Sequence, residues 1–207
     1  MKLNLSLNSK DWESAITKAA IEEIEKRIRG NAGRVRSEVK AIVAEAIANS
    51  PEIQALLNDE DLIGSFGFYG GSAEQQANAI IKSVTETTEV IVSPYRSKAN
   101  QLLTVNVQPK HLGNLLALPE GIIKTRDYDL NWLEWLLTKG DTIVVVGWTY
   151  EPGRGMGRSR LGHMIEGGSW RVDPRYSGNI DNNFVTRSLT SDETLAKVMK
   201  VLERALS

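Results

Sequence analysis

Apolar residues recur at Trp12, Ala15, Ile16, Ala19, Ala20, Ile24 and Ile28, the stripe of an amphipathic helix from Ser9 to Arg29 that Asn8 or Ser9 can cap. The opposite face is charged. Gly30, Asn31 and Gly33 interrupt the period, and Val35, Val39, Ile42, Val43, Ala46 and Ile47 restart it up to Asn49, which predicts two helices or one kinked rod. Ser50 and Pro51 read as the N-cap and first residue of a short helix to about Leu57. The segment Gly64 to Gly71, GSFGFYGG, reads as a loop. It is the expected boundary between a helical arm, residues 1–63, and a second domain, residues 64–207.

In that second domain Ser72 and Gln75 make a capping box for a helix carrying Ala77, Ile80, Ile81 and Val84. The pattern then changes. Thr85 to Ser93 is rich in β-branched residues and stops at Pro94, and Leu103, Val105 and Val107 alternate with polar positions, so two strands joined by the turn Tyr95 to Asn100 are expected. Asp129 to Lys139 reads as a helix stopped by Gly140, and Thr142 to Tyr150 as a strand. A returning strand, Gly162 to Val172 with a break expected at Gly167 and Gly168, completes a second hairpin. The last helix follows a Thr190/Glu193 capping box and is expected to bury Leu195, Val198, Met199, Leu202, Ala205 and Leu206. The expected fold class is α+β: a helical N-terminal arm and a mostly antiparallel sheet built from two hairpins, packed by a C-terminal helix.

Composition narrows the function. The 207 residues include no cysteine, which excludes a disulfide scaffold, a thiolate zinc site and a cysteine nucleophile. With 25 basic against 26 acidic residues, no chain-wide field draws the protein to nucleic acid or to an anionic membrane. The longest apolar run, Thr142 to Trp148, is too short to span a bilayer and no export signal is visible, so a soluble chain with no membrane partner is expected.

The glycine-rich stretch Glu151 to Gly162, EPGRGMGRSRLG, is the first place to look for a phosphate loop. Gly153, Gly155 and Gly157 are spaced by two rather than as G-x-G-x-x-G, and a strand follows them. Gly157 and Gly162 have Walker A spacing, yet His163 and Met164 stand where Lys and Ser/Thr are needed. Ser65 and Ser159 lack the G-x-S-x-G frame of a hydrolase nucleophile, and His111 and His163 lie outside any H-E-x-x-H pattern. The acidic groups Glu22, Glu23, Glu25 and Asp59, Glu60, Asp61 read as polar surface. No catalytic residue, metal or cofactor is expected. Arg154, Arg158 and Arg160 leave three readings open: a solvated loop, a contact with an acidic protein, or a contact with DNA backbone. Trp132 and Trp135, three apart on one helix, widen its apolar arc as a subunit-interface helix does.

The C-terminal part carries a resemblance. Trp132 to Leu137 followed by Gly140-Asp141, then Gly157-Arg158-Ser159-Arg160, Trp170 to Pro174, Tyr176-Ser177-Gly178 and Asp181 to Leu189 resemble, in order and spacing, virion structural proteins of tailed bacteriophages. That resemblance implies a neck or tail-completion subunit of the head-tail connector type, without cofactor or turnover, working in a homo-oligomeric ring. Its partners would be copies of itself, other neck, portal or tail proteins, and the genomic DNA passing through. It would be made in the host bacterial cytoplasm and end in the virion. The segment Tyr176 to Leu189, with Tyr176 and Phe184, would fasten one subunit to another. The alternatives are a small nucleic-acid-binding module, which needs a wider basic face, and a phage-encoded hydrolase, which needs a convergent set of catalytic groups.

Overall fold

The structure is a computed structural model, and it describes residues 9–58, 60–68, 72–96, 101–106, 112–125, 128–153 and 157–206. The interrupted N-terminal period resolves into two helices, α1 (Ser9–Gly30) and α2 (Ala32–Ala48), with the chain turning at Asn31. The α2 stripe is core throughout: Val35, Val39, Val43 and Ile47 are all buried. Ser50 accepts a hydrogen bond from the Ile53 amide at 3.4 Å and so caps α3 (Pro51–Asn58), as its Ser-Pro start predicts. α4 (Glu60–Phe66) and α5 (Ser72–Thr87) follow.

Two expectations fail here. Gly64 and Ser65 lie inside α4 rather than in a loop, because Leu62, Phe66 and Phe68 all find places in the core. The boundary expected after residue 63 therefore falls within one hydrophobic cluster that joins Val39, Ile47 and Leu56 to Phe66, Trp132 and Phe184. Thr85 and Thr87, expected at the start of a strand, are likewise helical. Their side chains return to the helix, Thr85 Oγ1 donating to Ile81 O at 2.7 Å and Thr87 Oγ1 to Ser83 O at 3.0 Å.

Strands β1 (Glu89–Arg96) and β2 (Gln101–Asn106) form the first antiparallel hairpin. After α6 (Gly113–Leu116) and a 3-10 turn at Pro119–Gly121, short strands β3 (Ile123–Lys124) and β4 (Asp129–Leu130) pair. They take residues expected in the next helix, so α7 is shorter, Trp132–Thr138. Strands β5 (Val145–Pro152) and β6 (Gly162–Trp170) form the second hairpin. The break expected at Gly167 and Gly168 is a bulge: β6 continues through it, with Gly167 at φ +111°, Gly168 at +71° and Gly147 opposite at +82°. The fold class is α+β as expected, with its hairpins as separate two-stranded ribbons.

Asn183 caps α8 (Phe184–Thr190), accepting from the amides of Val185 and Thr186, and the Thr186 hydroxyl accepts from the Asn183 amide at 2.9 Å. Ser191, not Thr190, is the N-terminal partner of α9 (Asp192–Leu206), accepting from the Thr194 amide at 3.3 Å. α9 packs on α1 and α2 rather than over a hairpin. Arg27 donates to Leu206 O at 2.7 Å, Asn31 to Ala205 O at 3.1 Å, and Lys197 pairs with Glu45 at 2.9 Å. Its buried side chains are Thr194, Val201 and Ala205, so the helix is rotated from the expected phase and leaves Leu195 and Met199 50 % and 55 % exposed.

Candidate interaction surface

The β5–β6 ribbon is where residue chemistry and exposure disagree most. Val146 is 80 % exposed and Trp148 45 %, with Met164 and Ile165 of β6 also in solvent. Among the described residues each strand pairs only with the other, so no third strand covers either outer edge. An apolar ribbon with two open edges is a template for another chain.

The ribbon is seated on α4 through contacts that only glycine permits. A Cβ at Gly64 would overlap the Tyr150 hydroxyl, and one at Gly162 would meet the same ring. Tyr150 sits between them and donates to Leu161 O at 3.1 Å. Burial, and then the nearby Asp61 carboxylate, push its hydroxyl above the usual phenol range, because both disfavour a phenolate. The loop after β5 folds back on α4 as well: Arg158 Nε donates to Gly67 O at 2.9 Å and Nη2 to Phe66 O at 3.4 Å.

Between the ribbon, α4 and the β3–β4 segment runs a groove of about 700 Å³. Phe66 and Trp170 are buried at its floor, Trp135 packs against Trp170 at 5.7 Å between centroids, and Tyr128 and Trp148 stand exposed at its sides. Among the described residues Arg158 and His163 are its basic lining groups, and His163 lies 3.9 Å from Glu151. On the other side of Tyr150 a smaller, polar groove of about 280 Å³ is lined by Asp61, Thr149, Asp173 and Tyr176. There Arg175 lies 5.1 Å over the Tyr176 ring and holds the Asp173 carboxyl below the usual carboxylate range through its hydrogen bonds. No group of three or more His, Asp or Glu placed to hold a metal ion occurs among the described residues. Likewise no described helix is long and apolar enough to cross a membrane.

The site residues expected from sequence divide accordingly. Trp132 is fully buried rather than at a subunit surface; its ring packs on Phe68 at 4.9 Å and its indole N–H donates to Glu120 O at 2.8 Å. Phe184 is also core. Trp135 and Tyr176 are half-buried, each lining one of the two grooves. Arg154 lies outside the described residues, Arg160 is exposed with φ +61°, and Arg158 is a tie within the chain rather than a free contact. Sequence reasoning missed the groove itself: Trp148, Tyr150 and Trp170 were visible only as strand aromatics, and Tyr128 carried no reading. The spaced pair Gly64 and Gly67 was the available signal, a close-packing site read instead as a loop.

Comparison with protein-family models, with curated proteins and with solved structures returns no match for this chain.

Proposed function

We propose that this chain is a non-catalytic structural subunit of a tailed-phage neck or tail-completion assembly, working as one member of an oligomeric ring. The observation that carries the reading is the β5–β6 ribbon, whose apolar side chains and two open edges are offered to solvent. Leu195 and Met199 on α9 and Ile16 on α1 add apolar positions on other elements, which suits a subunit with more than one neighbour. The residues that carry the phage resemblance serve the scaffold: Trp132 fills the core, the Gly140 amide donates to Gly178 O at 2.7 Å, Asn183 caps α8, and Arg187 pairs with the buried Glu52. A motif of core, turn and cap residues describes an architecture rather than a reaction.

The test is the composition of purified phage particles. Mass spectrometry should find the chain in them at a fixed, multiple copy number, and replacing Val146 and Trp148 together by Asp should leave a folded protein that no longer enters particles. Absence of the unaltered chain from the particles would end this reading.

A further inference from the structure

Six aromatic residues are among the described residues that line the larger groove: Phe66, Tyr128, Trp135, Trp148, Tyr150 and Trp170. Aromatic residues concentrated at a concave site are anchors for a ligand. Tyr128, 63 % exposed, and Trp148 leave large apolar rings in water that an occupant would cover.

The polar character of the lining is one-sided. No Asp, Glu, Asn or Gln is among the described residues that line the groove. The hydroxyls of Ser65, Thr125 and Tyr150 already donate to the carbonyl oxygens of Leu62, Tyr128 and Leu161. The indole N–H groups of Trp135, Trp148 and Trp170 have no acceptor among the described residues, and an indole N–H can only donate. The occupant must therefore bring acceptors and an apolar body, while needing few acceptors from the protein.

A glycan fits poorly, since it brings hydroxyl donors and meets no carboxylate or carboxamide among the described lining residues. A nucleic-acid strand needs a row of cations along its backbone. Among the described residues this groove offers His163 and Arg158, and Arg158 is engaged on Phe66 and Gly67. A polyproline II segment satisfies each condition: proline has no N–H, its carbonyls project to solvent, and its ring is flat enough to sit between aromatic walls. We propose that the groove binds a proline-rich segment of a partner protein in the polyproline II conformation, with Tyr128 and Trp148 as its walls. This assignment does not require the neck reading, although Trp148 serves in both; the peptide titration reads the groove, and the content of purified particles reads the neck assignment.

The test uses the full chain and a decaproline peptide, followed by tryptophan emission and calorimetry. Saturable binding is expected, weakened about tenfold or more by Trp148→Ala and by Tyr128→Ala, the loss typical of an interface anchor. Trp148→Phe should recover part of the affinity, and Met199→Ala, on a different surface, should leave it unchanged. Circular dichroism of each variant separates lost binding from lost fold, and two walls tested independently guard against one variant misfolding. The proposal is overturned by an absence of decaproline binding, by binding that neither wall substitution weakens, or by an oligothymidylate that binds the groove in the peptide's place.

Discussion

Helices α2 and α9 have nearly interchangeable sequence patterns and opposite fates. On α2 the apolar residues Val35, Val39, Val43 and Ile47 are all buried. On α9 the small or polar Thr194 and Ala205 go inward with Val201, whereas Leu195 and Met199 face water. An apolar arc marks a face that wants cover, but it does not say whose surface supplies the cover. In α2 it is α5, α8 and α9 of the same chain; for the outer edge of α9 no described residue does so. The same contrast separates the helical core from the β5–β6 ribbon.

Substitution should magnify that contrast. Ile47→Ala, at a fully buried position, should lower unfolding free energy by about 2–5 kcal/mol in chemical denaturation, combining lost transfer energy with a residual cavity. Leu195→Ala at a half-exposed position should change it by about 0.5 kcal/mol or less. Equal losses at the two sites would mean that α9 is covered within the chain after all.

Next in size is the tie between α8 and α3. Glu52 is buried, its Oε1 pairs with Arg187, and its Oε2 has no hydrogen-bond partner. Arg187→Met should cost about 1–3 kcal/mol, because it leaves the remaining carboxylate oxygen unpartnered too. Adding Glu52→Met should recover much of that loss, since replacing both members removes the orphaned charge.

Gly64→Ala tests the seat of the ribbon. Its new methyl group must displace the Tyr150 ring, at a cost of about 1–3 kcal/mol for overpacking, with faster hydrogen exchange in β5 and β6 than in α2. Arg158→Ala acts on the same seat more weakly, through loss of hydrogen bonds worth about 1 kcal/mol each at an exposed site. Unchanged exchange in the ribbon after both substitutions would show that α4 does not hold it.

The smallest effects come with pH. Tyr150 has a raised folded-state value, so its contribution is fully present below the model-peptide value of 10.0 and is lost as pH rises through the folded one. Asp173 has a lowered value, so its contribution is present above 3.8 and is lost as pH falls below that. Both groups border the ribbon base. Tyrosine absorbance at 295 nm in Trp148→Phe protein should show a late, alkaline phenol; titration at the free-phenol value would argue against a packed Tyr150.

These tests also mark how far the chain could be read without its structure. The α2 stripe was legible because its cover and its period agree, and Ser50-Pro51 because a cap is a local event. The phase of α9 was not, since Leu195 and Met199 satisfy the same periodicity as buried residues. Gly64 and Gly67 were misread for a different reason: their purpose is close approach to Tyr150 and Arg158, residues distant in sequence. For the same reason the groove was invisible, its aromatics arriving from α4, β4's approach, α7 and the ribbon. Trp132 and Trp135 show the limit within one short helix, where one ring became core and the other wall.

The hydrogen bonds joining Arg27 to Leu206 and Asn31 to Ala205 span 179 and 174 residues. Such pairings have a high contact order, and the valines of α2 cannot be fully enclosed until the α9 residues have left the ribosome. Until then the stripe of Val35, Val39, Val43 and Ile47 has α5 beside it and lacks the part of its cover that α8 and α9 supply. Closing this core therefore waits on residues distant in sequence, so the ordering of α2 is tied to that of α8 and α9 rather than to its own helix alone.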